Sequence, residues 1–375
     1  MPTYPEWPVT FVRGEGSWLF DADGRRYLDF LCGLAVTSLG HCHPEVVAEL
    51  EHQARTLWHV SNLFGNELGP EVAARIDRLL GGGGRVFLCN SGAEANECAI
   101  KLARRWSGRG RSAVVSAYGS FHGRTLATLA ATGQPDKHEP FCPMPEGFRH
   151  VEAGDLGALE SALGMGDVAA VLVEAIQGEG GVRPLDPEGL RRMRQLCSEH
   201  GVLLILDEVQ TGLGRTGRWF AFEHAGVRPD VVTLAKALGN GMPIGACWAR
   251  GEVAESFRPG DHATTFGGQP LAAAAARATL RVMEDLDVPQ LARRAGERLA
   301  RELAGLPGVV EVRGRGLLLG AALEEPRAGE VASGALERGL VVNAVQPDTV
   351  RLAPSLLVSE SEVDLALEVL AGVLG

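Results

Sequence analysis

The segment Leu203-Leu204-Ile205-Leu206-Asp207 indicates the fold of this chain most directly, because four apolar residues run into one acidic residue. Short apolar runs that end in a polar loop are typical of strands buried on both faces of a parallel sheet. The pattern recurs, each time followed by a helical segment, and the predicted strands are Val86–Cys89, Ala113–Ala117, Ala169–Val173, Val202–Leu206 and Val231–Ala235. We therefore predict an α/β fold with a mostly parallel central sheet covered by helices.

The two ends of the chain depart from this pattern. The alternation of apolar residues over Ser17–Phe30 predicts a β-hairpin, and Pro44 begins a predicted helix. After an alanine-rich helix at about Leu271–Glu284, short strands and helices alternate up to a last helix from about Glu360. We predict three parts: residues 1–52 as a segment packed with the small domain, residues 53–265 as a large α/β domain, and residues 266–375 as a smaller α+β domain.

The composition argues against several classes of protein. The chain has 375 residues, 45% of them hydrophobic, and can bury a large core. Its formal net charge of −11 argues against nucleic-acid binding, which needs a basic surface. No run of eighteen apolar residues occurs, so we expect no membrane span.

The cysteines and the first residues of the chain bear on its compartment. The seven cysteines are scattered and form no CxxC pair, which is typical of reduced thiols rather than of a disulfide framework. The polar first ten residues lack the pattern of a secretory signal, so a cytoplasmic location is expected. We expect no metal site at His41-Cys42-His43, because adjacent residues rarely converge on one tetrahedral ion.

Two residues of opposite charge end consecutive predicted strands. Asp207 at the end of a buried strand is costly unless it meets a cation, such as a protonated pyridine nitrogen. Taken alone, Asp207 is more typical of a helix cap or a Mg²⁺ ligand. Lys236 follows the next strand in a glycine-containing loop, where partial burial lowers the pKa of a lysine toward the neutral amine that forms imines. Together the two residues provide both attachment points for a pyridoxal ring.

A candidate phosphate site lies at Asn90–Ala95, which opens a predicted helix. Free N–H groups at Gly92 and Ala93, together with the helix dipole, suit a phosphate. The sequence there matches neither GxxxxGK[ST] nor GxGxxG, so nucleotide and dinucleotide sites lack their fingerprints. After another strand, Phe121 is a candidate to stack on a ring and Arg124 to bind a carboxylate, although Phe121 is equally consistent with a core position.

Taken together, six stretches of the sequence, in this order, resemble the class III aminotransferases over nearly the whole chain. They are Asn90–Glu97 with Ile100–Arg104, Phe121–Thr125, Gln177–Gly181, Asp207–Gly217, Leu234–Gly239 and Thr264–Gly268. The resemblance is greatest to the group that acts on N-acetylornithine and other N-acylated diamino acids. It implies the fold-type I architecture of pyridoxal-phosphate-dependent transferases.

The resemblance also implies roles for the cofactor-binding residues. Lys236 would hold pyridoxal 5′-phosphate as a Schiff base and move a proton during the reaction, while Asp207 pairs with the pyridine nitrogen. Phe121 would stack on the ring and Gln210 would lie near its phenolic oxygen. The remaining expected cofactor contacts are Ser91, Gly92, Ala93, Glu208, Val209 and, from the second subunit of a homodimer, Thr265.

The implied substrates are an amino acid and the 2-oxoglutarate/glutamate pair. Arg124 would bind a substrate carboxylate, Thr264 would lie near the acyl-amino acid, and Arg351 would bind the α-carboxylate of glutamate. Glu179 would cover Arg351 while the diamino substrate is bound. The implied reaction moves the terminal amino group of N-acetylornithine, or of a close analogue, to 2-oxoglutarate in arginine or lysine biosynthesis.

Two other functions remain open at this stage. One is a different reaction with the same cofactor: ω-transamination of ornithine, succinylornithine, acetyl-lysine or 4-aminobutyrate, or an aminomutase or racemase reaction. Retention of both Glu179 and Arg351 favours a glutamate/2-oxoglutarate partner. The other is a non-catalytic α/β binding protein that keeps the fold, against which Lys236 and Asp207 both argue.

Overall fold

The structure, a computed structural model, describes residues 1–375 and contains strands in four sheets. In chain order the strands are β1 Phe11–Glu15, β2 Trp18–Asp21, β3 Arg26–Asp29, β4 Gly84–Cys89, β5 Ala113–Ala117, β6 Phe148–Val151, β7 Val168–Val173, β8 Ile176–Gln177, β9 Arg183–Pro184, β10 Leu203–Asp207, β11 Val231–Leu234, β12 Gly245–Arg250, β13 Val309–Arg315, β14 Leu318–Leu323, β15 Leu340–Val341, β16 Asn343–Gln346 and β17 Thr349–Leu352.

The α-helices are, in chain order, α1 Pro44–Ala54, α2 Leu68–Leu79, α3 Gly92–Ser107, α4 Leu126–Ala131, α5 Leu156–Gly164, α6 Pro187–Glu199, α7 Gly251–Ala254, α8 Pro270–Asp285, α9 Val288–Leu303, α10 Ala328–Glu337 and α11 Glu360–Leu374. Short 3₁₀ turns occur at Pro135–Lys137, Glu139–Phe141, Ala221–His224 and Lys236–Gly239. A single helical turn at Cys32–Ala35 is left-handed, with positive φ at all four residues.

The central sheet has seven strands in the order β4-β12-β11-β10-β7-β5-β6. Only β12 runs antiparallel to its neighbours, so the mostly parallel α/β sheet predicted from the sequence is confirmed. Every residue of β7, β10 and β11 is buried, as expected of strands covered on both faces. The predicted strands lie within one or two residues of the observed ones, and β6 and β12 were not predicted.

Two alanine-rich helices pack closely against their neighbours. In α3, Ala95, Ala99 and Ala103 are fully buried, and the helix contacts β4, β7, β10, β11 and β12. Helix α8 packs against α1, α2 and the turn that begins at Lys236. Small side chains let these backbones approach closely, which brings the start of α3 next to the ends of the central strands.

The two ends of the chain meet in one small sheet. Strands β1, β2 and β3 are antiparallel, as the predicted hairpin requires, and β15 from the C-terminal part pairs in parallel with β3. A further antiparallel sheet, in the order β13-β14-β17-β16, carries Arg351 on β17. Strand β16 and helix α10 were not predicted. The division into parts at residues 52/53 and 265/266 stays a prediction.

The structure contains neither a candidate membrane span nor a candidate metal centre. None of the helices combines the length and the apolar character that crossing a membrane requires. No group of three or more histidine, cysteine, aspartate or glutamate side chains is placed to hold a metal ion. All seven cysteines are free thiols.

Candidate active site

A cavity of about 460 Å³ opens at the carboxyl ends of the central strands. This is where ligands bind in open α/β sheets, because the loops that follow parallel strands converge at that edge. Ten of the residues predicted from the sequence line it: Ser91, Gly92, Ala93, Phe121, Arg124, Glu179, Asp207, Val209, Gln210 and Lys236. The sequence motifs, dispersed over about 150 residues of chain, therefore meet in one place.

Lys236 lies in the cavity wall, two residues after β11 ends. Its backbone has φ +44°, an uncommon conformation for a residue other than glycine, and it begins the 3₁₀ turn to Gly239. Removal from water, assisted by the positive charge of Arg351, lowers the pKa of Lys236 to about 8 against the opposing effect of nearby carboxylates. About a tenth of this amine is therefore neutral and nucleophilic at pH 7, and this fraction rises steeply with pH.

Asp207 ends β10, next to β11, so its carboxylate and Lys236 lie on neighbouring strand ends. Asn96 donates a hydrogen bond of 2.8 Å to Asp207 Oδ2, and His122 Nδ1 lies 2.8 Å from the same oxygen. The other oxygen accepts the backbone N–H of Val209 at 3.0 Å. A carboxylate only accepts hydrogen bonds, so His122 carries its proton on Nδ1 in this pairing. Asp207 is thereby fixed in one orientation.

Asn96 is a site residue that the sequence reasoning missed. It lies four residues after Gly92 on α3, so the helical period places both on the side of the helix that faces the cavity. An asparagine between the buried residues Ala95 and Cys98 was the available signal, because a buried polar side chain needs a hydrogen-bonding partner. Its amide donates both to Asp207 and, at 2.8 Å, to the carbonyl of His122.

The start of α3 forms an anion site. Ser91 caps the helix by accepting the N–H of Glu94, while the N–H groups of Gly92 and Ala93 have no carbonyl one turn earlier to bond. A Cβ at Gly92 would lie 2.8 Å from Val209 Cγ1, so only glycine allows this close approach. The free N–H groups and the helix dipole suit a phosphate, as the sequence indicated.

Glu174 is a second missed residue, and it joins two loops of the cavity. It follows β7, is buried, and accepts the backbone N–H of Phe121 at 3.0 Å and that of Gly178 at 3.2 Å. Burial, the largest effect, raises the pKa of Glu174 to about 7 despite these hydrogen bonds and the nearby His122. The carboxyl group thus ties the loop of Phe121 to the loop that carries Glu179.

Arg351 lies just behind the part of the cavity wall formed by Glu179 and Gln210, which we call the outer end. Its side chain is 1% exposed, and Nη1 donates to Glu179 Oε1 at 2.6 Å and to Gln210 Oε1 at 3.4 Å. Glu179 and Gln210 line the cavity while Arg351 does not, so Glu179 separates the guanidinium from the open space. Burial acts to raise the pKa of Glu179, but the charge of Arg351 outweighs burial and holds that pKa below its usual range.

Arg124, the other arginine predicted from the sequence, has no carboxylate partner in the chain. Arg124 is exposed at the mouth of the cavity, with Cζ 5.5 Å from the centroid of the Phe121 ring. No carboxylate of the chain lies within ion-pair distance of Arg124, in contrast to Arg351. A guanidinium without a counter-ion at a cavity mouth is suited to bind a carboxylate from solution.

Three other predicted residues lie outside the cavity. Glu208 is buried and turned away, because its carboxylate accepts the N–H of Phe222 and the hydroxyl of Thr211. Thr264 bonds to Asn90 and Glu94 through its hydroxyl group, and Thr265 is exposed on the protein surface. The structure of one chain therefore does not bring these three side chains to the site.

The residues that line the cavity fit pyridoxal phosphate. A partly buried amine with a lowered pKa stands next to a fixed carboxylate, and a helix N-terminus with two free N–H groups lies at the same cavity. These groups match the aldehyde, the pyridine nitrogen and the phosphate of the cofactor, respectively. Phe121 in the cavity wall provides an aromatic face.

Comparison with known proteins gives one consistent result. The family profile described as Aminotransferase class-III matches residues 2–374. The acetylornithine aminotransferases of Gloeobacter violaceus and Corynebacterium efficiens are 50% and 48% identical to the chain, with 100% and 99% of the chain covered and 95% and 94% of the relatives.

The solved structures that resemble this chain are also aminotransferases. N-acetylornithine aminotransferase from Stenotrophomonas maltophilia K279a is 40% identical with a TM-score of 0.86, over 99% of this chain and 96% of that one. Ornithine aminotransferase from Toxoplasma gondii, whose structure has partial occupancy of PLP at its active site, is 36% identical with a TM-score of 0.94, over 100% and 91%.

Proposed function

The chain belongs to the class III aminotransferases, and on that premise we propose that it transfers the terminal amino group of N-acetylornithine, or of a close N-acylated diamino acid, to 2-oxoglutarate. The product of the second half of the reaction is glutamate. The observation that carries the proposal is the Glu179–Arg351 pair, which provides a carboxylate-binding arginine that can be covered or exposed. We assign this reaction to arginine biosynthesis or to the analogous lysine pathway.

The part of the cavity lined by Gly92, Asp207 and Lys236, which we call the inner end, would hold the cofactor. Bound pyridoxal phosphate supplies an electron-withdrawing ring that stabilises negative charge next to the transferred nitrogen. Lys236 would attach to it covalently, and the freed amine of Lys236, with its pKa of about 8, would move a proton at the substrate carbon. Asp207 would keep the pyridine nitrogen protonated, because its two hydrogen-bonded oxygens cannot turn away.

The outer end would distinguish the two substrates. The diamino substrate presents its terminal amine and no carboxylate next to it, so Glu179 stays on Arg351 and cancels its charge. Glutamate and 2-oxoglutarate present an α-carboxylate there, which would replace Glu179 as the partner of Arg351. Arg124, free at the cavity mouth, would bind the more distant carboxylate of either substrate.

A panel of amino donors tests this function. Glutamate formation from 2-oxoglutarate is measured as kcat/KM with N-acetylornithine, N-succinylornithine, N-acetyl-lysine, ornithine and 4-aminobutyrate. We expect N-acetylornithine to be preferred over free ornithine by more than about tenfold, since one buried, unpaired charge costs more than 1.4 kcal/mol. Preference for ornithine would assign the chain to the ornithine aminotransferases instead. No glutamate from any donor would reject aminotransfer to 2-oxoglutarate.

The active form would be a homodimer. Asn62 donates to the carbonyls of Thr264 and Gly267, which joins two exposed surface segments near the cavity. Large apolar side chains are exposed on these segments, namely Trp58, Leu63, Phe64 and Phe266. Such a patch is typical of a protein interface. A second copy placed on it would cover the patch and bring its own Thr265 toward the phosphate site.

Light scattering of the purified protein tests the dimer. We expect twice the chain mass of 39.7 kDa, and a shift toward the monomer when Phe64 is replaced by glutamate. Replacing Phe141, exposed elsewhere on the surface, by glutamate is the matched control and should leave the mass unchanged. A monomeric, fully active wild-type protein would reject a role for Thr265 across the interface.

A further inference from the structure

Strand β16 carries a side chain that contacts Arg351 directly. Asn343 on β16 is the cross-strand neighbour of Arg351 on β17, and its Oδ1 accepts a hydrogen bond of 3.2 Å from Arg351 Nε. The Asn343 amide nitrogen donates to the carbonyl of Ala344 at 3.3 Å. The amide oxygen must face the guanidinium, since the reverse orientation would place two donors against each other.

The contacts of the guanidinium leave one edge for a ligand. Asn343 occupies Nε, Glu179 and Gln210 both occupy Nη1, and Nη2 is buried without any partner. When Glu179 leaves, the Nη1–Nη2 edge is the one that can donate two parallel hydrogen bonds to a carboxylate. The Nε–Nη2 edge stays half occupied by Asn343. Asn343 thus determines which edge of Arg351 faces the cavity.

A second side chain of the same strand holds the other member of the pair. Gln346, three residues after Asn343, donates from Nε2 to the backbone carbonyl of Glu179 at 3.0 Å. Its Cγ lies only 3.1 Å from where a Cβ of Gly181 would be, so the glutamine packs closely on the loop that carries Glu179. Gly181 has φ +103°, so this loop adopts a conformation that other residues rarely take. Strand β16 therefore supports both Arg351 and the backbone of the residue that covers it.

We propose that β16 determines substrate specificity in this enzyme through two positioning residues, Asn343 for Arg351 and Gln346 for Glu179. Asn343 favours the carboxylate-bound state, because it presents the correct edge of the guanidinium. Gln346 favours the covered state, because it holds the backbone of Glu179 where its side chain reaches Arg351. The proposal rests on the proposed function of Arg351 as the α-carboxylate site. Neither residue acts on the reacting atoms.

The roles of Asn343 and Gln346 can be distinguished because replacing them should change the binding affinity for a dicarboxylate in opposite directions. Asn343→Ala should weaken binding of glutarate by about tenfold, the effect of one hydrogen bond to a charged group. Gln346→Ala should strengthen it by about threefold, because losing one neutral hydrogen bond makes the covered state less stable. Glutarate has both carboxylates of 2-oxoglutarate but no oxo group, so it binds the cofactor-loaded enzyme without reacting.

Calorimetric titration of the loaded enzyme with glutarate measures both effects without turnover. A kinetic measurement complements it: Asn343→Ala should raise the KM for 2-oxoglutarate with little change in kcat, and Gln346→Ala should raise the KM for N-acetylornithine. Ala344→Ser, at the exposed position between them on β16, is the matched control and should behave as wild type. Thermal unfolding identifies any variant that has lost its fold, and Asn343→Asp, which keeps an acceptor oxygen, provides a second test of the same contact.

The outcomes separate this inference from the proposed function. If Arg351→Gln leaves glutarate binding unchanged, then Arg351 is not the carboxylate site and the proposed function of that residue fails. If Arg351→Gln abolishes binding while folded Asn343→Ala and Gln346→Ala variants bind glutarate as wild type does, only the role of β16 is overturned. The same direction of change in both variants would also contradict it.

Discussion

The two ends of the cavity hold their charged groups in different ways. At the inner end, Asp207 receives hydrogen bonds on both carboxylate oxygens from Asn96, His122 and the N–H of Val209, and the side chains of Asn96 and His122 are buried. At the outer end, buried Arg351 has an unpartnered Nη2, and the side chain of Glu179, its carboxylate partner, is 33% exposed. Both oxygens of the Asp207 carboxylate have hydrogen-bond partners, whereas the Arg351 guanidinium keeps one nitrogen without a partner.

This difference matches the tasks that we propose for the two ends. A resident cofactor needs a carboxylate in one permanent orientation, and several hydrogen bonds from buried groups provide that. Two substrates that bind in turn need an arginine whose partner can be exchanged. Glu179 can leave the ion pair because its partly exposed carboxylate can be solvated by water, whereas the buried guanidinium of Arg351 cannot reach water. Substitutions at the two ends should therefore affect the two half-reactions differently.

Replacing Lys236 should have the largest effect of any substitution at the inner end. Lys236→Ala removes both the covalent attachment and the proton-moving amine, so we expect loss of turnover by at least about 10⁴-fold. The measurement is glutamate formation from N-acetylornithine and 2-oxoglutarate. Lys137→Ala, a lysine of the 3₁₀ turn after Gln134, is the matched control and should stay active. Undiminished transamination by Lys236→Ala would reject the proposed mechanism.

Asp207→Asn should be the next most damaging change. The amide has nearly the same shape but cannot keep a pyridine nitrogen protonated, and loss of such electrostatic stabilisation costs about 10²–10³-fold in kcat. The loss should appear equally in both half-reactions, because the inner end serves both substrates. Rapid mixing with each substrate alone measures the two rates. A loss confined to one half-reaction would show that Asp207 belongs to a substrate site.

Arg351→Gln should affect only one half-reaction. We expect the KM for 2-oxoglutarate and glutamate to rise about 10²-fold, in the range found when one partner of a buried charge pair is removed. The half-reaction with N-acetylornithine should change little, since Glu179 already cancels the charge of Arg351 in that state. The same two rapid-mixing assays distinguish these results. Equal losses with both substrates would mean that Arg351 only stabilises the fold.

The pH dependence of cofactor uptake tests the state of Lys236 with a smaller effect. Because the pKa of Lys236 is lowered to about 8, its amine is mostly protonated at pH 7 and mostly neutral at pH 9. The rate of cofactor attachment to the cofactor-free protein should therefore rise about tenfold from pH 7 to pH 9 and then level off. Absorbance of the bound cofactor follows the rate. A rate still rising steeply above pH 10 would indicate an ordinary, solvated lysine.

The sequence predicted the inner end better than the outer end, for a physical reason. Asp207 and Lys236 each follow a buried apolar run, and the ends of neighbouring parallel strands must meet at one edge of the sheet. The helix start at Gly92 is likewise a local pattern. These features depend on a few consecutive residues, so a reading of the sequence can find them.

The supporting contacts were not predicted, because they depend on packing between distant segments. Asn96 and Asp207 are 111 residues apart, and Arg351 and Glu179 are 172 apart. The role of Arg351 came from family resemblance alone, since no periodicity marks it. Strand β16, with half-buried residues and a proline after it, lacks the apolar run by which the central strands were recognised. Its contact with Arg351 follows only from the register of β16 and β17.

Peptide mapping tests directly whether the inner end holds a covalently bound cofactor at Lys236. The chain contains only three lysines, Lys101, Lys137 and Lys236, so peptide mapping can separate them. Purified enzyme loaded with pyridoxal phosphate is reduced with borohydride, digested and analysed by mass spectrometry. We predict that the reduced cofactor is found on the peptide that contains Lys236 and not on the peptides that contain Lys101 or Lys137. Label on Lys101 or Lys137, or no label at all, would contradict it.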